Sequence, residues 1–151
     1  MEKEILSYEV IGCAMNVFNT LGNGFTHIEF IFKMYSWSVA IQEVIYQRCL
    51  AIELEMKGIN FEREVEQTIY YKGIKVGTRR ADFVIENKLT VELKALVNLE
   101  DVHLAQAKNY VVAYDFDKGL LINFGAKSLQ YKLIFNQNKL SESEFTELKN
   151  K

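Results

Sequence analysis

Arg79-Arg80-Ala81-Asp82-Phe83-Val84-Ile85, then Glu86-Asn87-Lys88, then Leu89-Thr90-Val91-Glu92-Leu93-Lys94-Ala95 reads as two strands joined by a short turn. Val, Ile, Leu, Phe and Thr fill the strands, and Asn-Lys suits a turn. Strand side chains alternate between faces. Ala81, Phe83 and Ile85 share one face of the first strand, and Leu89, Val91 and Leu93 share one face of the second. All six must enter the same core, and directly paired residues share a face, so odd positions pair with odd.

That condition selects the register. A three-residue loop, Glu86 to Lys88, pairs Ile85 with Leu89, Val84 with Thr90 and Asp82 with Glu92. A two-residue loop would set Asp82 opposite Leu93 and mix the faces. The core pattern thus places two carboxylates side by side on the other face, about 5 Å apart at Cβ. Lys94 follows on that face. Facing carboxylates weaken a hairpin unless a positive group lies between them, and a divalent cation with oxygen ligands would serve. The competing reading is a solvated sheet face with incidental charges.

Working outward, 151 residues suit one domain with a real core. Hydrophobic residues make up 49% and aromatics 13%, which excludes a disordered chain. No apolar run is long and clean enough to span a bilayer. Met-Glu-Lys-Glu at the start lacks the apolar region of a secretory signal, so the expected location is cytoplasmic. Cys13 and Cys49 fall in helical patterns without metal-ligand spacing and are expected as buried thiols rather than a disulfide. With a net charge of −2, nucleic-acid binding would need a local basic patch.

Residues 5–21 predict a helix. Ile5, Leu6, Val10, Ile11, Ala14, Val17, Phe18 and Leu21 form its apolar stripe, and Gly22-Asn23-Gly24 ends it. Residues 26–41 are densely aromatic, with mixed periodicity, and hold the only Trp. They fit a hairpin, a buried helix or an exposed apolar lobe that serves as a partner surface. Residues 42–57 predict a second helix, with Val44, Ile45, Cys49, Leu50, Ile52 and Leu54 inward and Gly58 as its stop. Residues 60–71 read as a strand, and Tyr71-Lys72-Gly73-Ile74 as a turn into a short strand before the central hairpin. A third helix over 100–114 carries His103, Gln106 and Tyr110 on one stripe, which suits a polar surface or the lining of a site. Strands are expected over 118–124 and 128–135. The tail, residues 136–151, is polar, and Ser141-Glu142-Ser143-Glu144 has the form of a capping box. The order predicts a mixed sheet with helices packed on it.

Asp82, the strand-borne Glu92-x-Lys94 ten residues on, and a helix bearing Gln106-x-x-x-Tyr110 together resemble the PD-(D/E)xK nuclease superfamily. More closely, the chain is similar to the small bacterial and archaeal GxxExxY proteins. The matching pieces are Leu21-Gly22-Asn23-Gly24-Phe25, Gln42-Glu43-Val44-Ile45-Tyr46, Arg80-Ala81-Asp82, Val91-Glu92-Leu93-Lys94-Ala95, His103-Leu104-Ala105-Gln106 with Tyr110, and Leu120-Leu121-Ile122-Asn123-Phe124. They span roughly residues 5 to 135. In that family the Gly-x-Gly turn runs almost directly into the Glu-x-x-Tyr helix, so residues 26–41 look like a sixteen-residue insertion.

The resemblance implies an α/β, PD-(D/E)xK nuclease-like mixed β-sheet core flanked by helices. It forms a single domain over 1–135 with an insertion at 26–41. It also implies phosphodiester hydrolysis in DNA or RNA assisted by Mg²⁺ or Mn²⁺. Asp82 and Glu92 would supply hard oxygen ligands, with Glu43 as a further ligand or water-binder and a backbone carbonyl near Leu93 as another. Lys94 would handle the attacking water or the developing charge. Gln106 and Tyr110 would position the substrate backbone or Lys94. Arg79, Arg80, Lys72 and Lys75 lie close enough in sequence to meet phosphates; each also fits a solvated basic edge. Two other classes stay open: an inactive nucleic-acid-binding or regulatory module on the same fold, and an assembly protein that forms a homodimer through 26–41.

Overall fold

The computed structural model describes residues 2–23 and 38–139, with side chains described for 5–23 and 41–139. The elements run α1 (Glu2–Leu21), α2 (Ser38–Met56), β1 (Phe61–Tyr71), β2 (Ile74–Ile85), β3 (Leu89–Lys94), α3 (Asp101–Ala113), β4 (Lys118–Asn123) and β5 (Gln130–Phe135). The five strands form one sheet in chain order. β1/β2, β2/β3 and β4/β5 are antiparallel, and β3/β4, joined through α3, is parallel. A parallel pair needs such a crossover, because a tight turn can only return the chain antiparallel.

The central hairpin has the register that its apolar pattern requires: Phe83 pairs with Val91, Val84 with Thr90 and Ile85 with Leu89. Glu86 and Asn87 turn the chain with φ near 50°, and the Lys88 N–H closes the turn on the Ile85 carbonyl at 3.0 Å. Ala81, Phe83, Ile85, Leu89, Val91 and Leu93 are all buried. Phe83, Ile85, Leu89, Val91 and Leu93 join Leu120, Ile122 and Phe124 in the main core, against Val10, Ala14 and Val17 of α1 and Tyr46, Leu50 and Leu54 of α2. The opposite face packs on α3, where Ala107 and Val111 meet Leu121 and Ile134. The result is three layers, helix pair, sheet and helix, with both faces of the central strands β3 and β4 covered.

Several expectations need correction. Residues 74–85 form one twelve-residue strand rather than a short strand before the hairpin. Gly77-Thr78-Arg79-Arg80 lacks apolar residues and reads as a break, but pairing with β1 carries the strand through it. On α2, Val44 and Ile52 point outward at 40% and 55% exposure, while Tyr46, Gln47 and Ala51 are buried. The inward stripe is Tyr46, Leu50 and Leu54 at i, i+4, i+8, and one stripe cannot also hold Val44 and Ile52. Ile5 is exposed for the same reason. Residues 38–41, expected in the insertion, begin α2. The rest of the 26–41 segment and the Ser141–Glu144 capping box lie outside the described residues. Cys13 is buried, Cys49 is half-buried, and both are free thiols.

Candidate active site

The hairpin pairs up to Phe83 and Val91, and the next positions are Asp82 and Glu92. There the backbone ladder gives way to a side chain: the Leu93 N–H donates to Asp82 Oδ2 at 2.8 Å. Glu92 stands on the α3 face beside Leu121 of β4. Because α3 covers that face, Glu92 is only 7% exposed, which excludes the solvated-face reading for this residue. Lys94 Nζ lies 3.5 Å from Glu92 Oε1. Glu92 Oε2 is buried and has no hydrogen-bond partner, an expensive state for a carboxylate oxygen.

Electrostatics follow from this crowding. Burial pushes the Glu92 carboxyl from its ordinary 4.5 to about 8, Asp82 adds to the rise and Lys94 opposes it. Asp82 is raised chiefly by burial; the Leu93 N–H and Lys94 oppose the shift, and Glu64 adds to it. Glu43, from α2, is also raised by burial, with Lys94 lowering it, Asp82 raising it, and the Ala95 backbone and His103 lowering it. Lys94 thus favours the charged form of three carboxyls from three elements and contacts one of them, Glu92. Among the described residues, no three His, Cys, Asp or Glu side chains form a ready metal-holding group. Glu43 therefore sits in the field of Asp82 and Lys94 without completing a triad.

The α3 stripe divides by task. His103 Nδ1 accepts the Glu100 N–H at 3.0 Å and so caps the helix. Gln106 is half-buried and Tyr110 is buried. The Arg79 guanidinium lies 5.9 Å from the Tyr110 ring centroid, a cation–π contact that ties β2 to α3. Arg80, Lys72 and Lys75 are exposed. Lys72 and Lys75 belong to the far end of the β1/β2 ribbon rather than to the carboxylate cluster.

Sequence reasoning missed the supports. Fully buried Asn123 accepts the Leu96 and Gly125 N–H groups on Oδ1 and donates from Nδ2 to the Leu96 carbonyl and Gln130 Oε1. It fixes the chain just beyond Lys94 and Ala95. A Cβ on Gly125 would lie 2.4 Å from the Leu96 nitrogen, so only glycine passes there. The signal was an amide inside an apolar strand, which must find partners when buried. The Tyr114 hydroxyl accepts the Ala81 N–H and donates to the Val65 carbonyl, bridging β2 and β1 beside Asp82. Tyr46 stacks on Phe124 with ring centroids 4.4 Å apart, and its hydroxyl donates to the Gly22 carbonyl at 2.8 Å. Its role is packing, and it fixes α2, and with it Glu43, against the end of β4.

A family model described as the PD-(D/E)XK nuclease superfamily matches residues 4–134. The chain belongs to that superfamily. The solved structure described as "Crystal structure of SSO0001" is similar at 23% identity and a TM-score of 0.57, covering 83% of this chain and 66% of that one. The likeness supports the fold, and this chain spans just under two thirds of that structure. No curated protein matches. No described helix is long and apolar enough to cross a membrane.

Proposed function

We propose that this protein is a divalent-metal-dependent nuclease that hydrolyses phosphodiester bonds in DNA or RNA, with Mg²⁺ or Mn²⁺ held by Asp82 and Glu92. The observation that carries it is the orphaned, buried Glu92 Oε2 next to a second carboxylate. A hard cation fits that oxygen better than any side chain present. When bound, it would supply Lewis acidity toward water and neutralise charge on the phosphate. Asp82, already oriented by the Leu93 N–H, keeps its other oxygen for a ligand role. Glu43 serves as a further ligand or water-binder, and a backbone carbonyl near Leu93 as another. Lys94 is a cation in its charged form and cannot be a ligand, so it holds the attacking water or the charge that develops on the phosphate. Gln106 and Tyr110 position the substrate backbone or Lys94, and Arg79, Arg80, Lys72 and Lys75 meet phosphates. The Leu21-Gly22-Asn23-Gly24-Phe25 turn with Glu43 and Tyr46 favours the GxxExxY group within the superfamily, as a single domain over 1–135.

The test compares wild type, Glu92→Ala and Lys94→Ala on generic DNA and RNA with Mg²⁺ or Mn²⁺. Lys94→Ala should lose about 10²–10³ in rate, the usual cost of one transition-state contact, and retain the Mn²⁺-dependent rise in melting temperature. Glu92→Ala should lose both, because a ligand is gone and metal stabilisation works through the folded state. Equal cleavage by wild type and Lys94→Ala would make Lys94 a surface lysine. No cleavage by wild type on any substrate would leave an inactive module.

A further inference from the structure

The site reading leaves the far end of the β1/β2 ribbon unexplained. Every residue from 70 to 76 is exposed. Tyr70, Tyr71, Ile74 and Val76 are 60–69% exposed, a cluster rather than the scattered single apolar residues of an ordinary surface. Lys72 and Gly73 turn the chain with φ of 49° and 79°. A register shift between Ile69 and Tyr70 then pairs Tyr70 with Lys75 and Tyr71 with Ile74. Successive residues alternate faces, so one tyrosine lies on each side of the ribbon, and paired residues share a face, so Lys75 goes with Tyr70 and Ile74 with Tyr71. Each has its own cation: Lys75 beside Tyr70, and Lys72 Nζ 5.5 Å from the Tyr71 ring centroid.

Resting on the nuclease reading, we infer that the ribbon tip is a stacking platform for unpaired bases, so the substrate is nucleic acid that is single-stranded where it crosses Tyr70 and Tyr71. Charge selects the partner. Residues 67–81 hold four cations, Lys72, Lys75, Arg79 and Arg80, and no acidic residue, within a chain of net charge −2. A second copy docked tip to tip would oppose cation to cation, whereas a polyanion satisfies the exposed Lys72 and Lys75 at the tip and runs on toward Arg80. The aromatic rings add a demand for flat apolar faces. Duplex hides those faces inside its stack, and single strands present them. Along β2, eight residues separate Ile74 from Asp82, about 26 Å at roughly 3.3 Å per residue. That distance corresponds to roughly eight stacked nucleotides at ~3.4 Å each.

The test measures binding by fluorescence anisotropy in EDTA, without cleavage, using labelled oligothymidylates of about twenty and about four nucleotides and a duplex of about twenty base pairs. Variants are Tyr70→Ala/Tyr71→Ala, its conservative counterpart Tyr70→Phe/Tyr71→Phe, and Lys72→Gln/Lys75→Gln. The alanine pair should weaken binding of the long single strand about tenfold or more per tyrosine, change duplex binding less than about twofold, and leave the salt dependence unchanged. The phenylalanine pair should bind like wild type. The glutamine pair should lower the slope of log K against log salt by about 1.4. The four-nucleotide probe, too short to join tip and site, should lose most of its affinity with the alanine pair if it occupies the tip alone. Single-strand binding that ignores the tyrosines overturns the inference, as does wild type that binds no nucleic acid. A wild-type dimer that the alanine pair turns into a monomer also overturns it, since the tip would then be a self-association surface. Tyrosine-dependent binding with no cleavage under any metal supports the platform and removes only the nuclease reading. Cleavage with tyrosine-independent binding does the reverse.

Discussion

Glu92 concentrates the cost of this fold in one side chain. Its carboxyl stays protonated up to about pH 8 in the metal-free protein, against 4.5 when unperturbed. The folded state therefore binds its proton more tightly than the unfolded state. The contribution is fully present below about pH 4.5 and is lost as pH rises through 8. In EDTA, wild-type stability should fall across that window, on the order of 5 kcal/mol, and Glu92→Gln should flatten the slope. Urea unfolding at a series of pH values reads both, and parallel wild-type and Glu92→Gln curves would refute the account. The register Phe83–Val91, Val84–Thr90 and Ile85–Leu89 was legible, because the odd-numbered core positions admit one loop length, whereas the ladder ends one position short of the expected Asp82–Glu92 pair, where the Leu93 N–H turns to the Asp82 carboxylate. The burial of Glu92 was not. It depends on α3 lying over that face, a tertiary contact that alternation within β3 cannot encode.

At the scale of elements, α3 sets how closely anything can approach the carboxylates. A Cβ on Gly119 of β4 would lie 2.3 Å from Val111 Cγ2 and 2.6 Å from Thr90 Oγ1. The helix is seated on a glycine. Gly119→Ala should lift it, lower stability by about 1–3 kcal/mol as overpacking does, and disturb Gln106 and Tyr110. Thermal melts check the first effect. An unchanged melting temperature would mean that α3 yields freely. The His103, Gln106, Tyr110 stripe was visible from its spacing, but its division of labour was not. A histidine that caps its own helix and one that faces a site share the same periodicity. Similarly, β2 was divided in the sequence reading because its middle is polar, and it is held together by the ladder to β1.

For the whole molecule, a mixed sheet with helices packed on it follows from the sequence of helical and alternating patterns, and the family match agrees, whereas the strand order comes from the structure. The aromatic stretch before α2 is a different matter, since no periodicity decides its structure. With residues 38–41 in α2, the part of the expected insertion that precedes the helix is 26–37. Deleting it should leave cooperative unfolding, because α1, α2 and their core stripes are untouched. Loss of a cooperative transition in calorimetry would place the segment in the core. A change from dimer to monomer by size exclusion would make it an interface, as proposed for a homodimer.

The turn at Glu86, Asn87 and Lys88 lies four residues from Asp82 on one side and four from Glu92 on the other and carries no proposed ligand itself, yet the register that brings the two carboxylates to neighbouring positions hangs on its length. Changing the Lys88 side chain alters little, because the backbone carries the register, whereas Glu86 accepts the Asn60 N–H at 2.8 Å and, with Asn87, holds a positive φ that β-branched residues and proline resist. Adding or removing one residue slides the strands by one position, turning Asp82 or Glu92 toward the core. Tolerance in this loop should therefore split by the kind of change. In a saturation library, substitutions at Lys88, and glycine in place of Asn87, should survive selection for activity, and single-residue insertions and deletions should vanish from it.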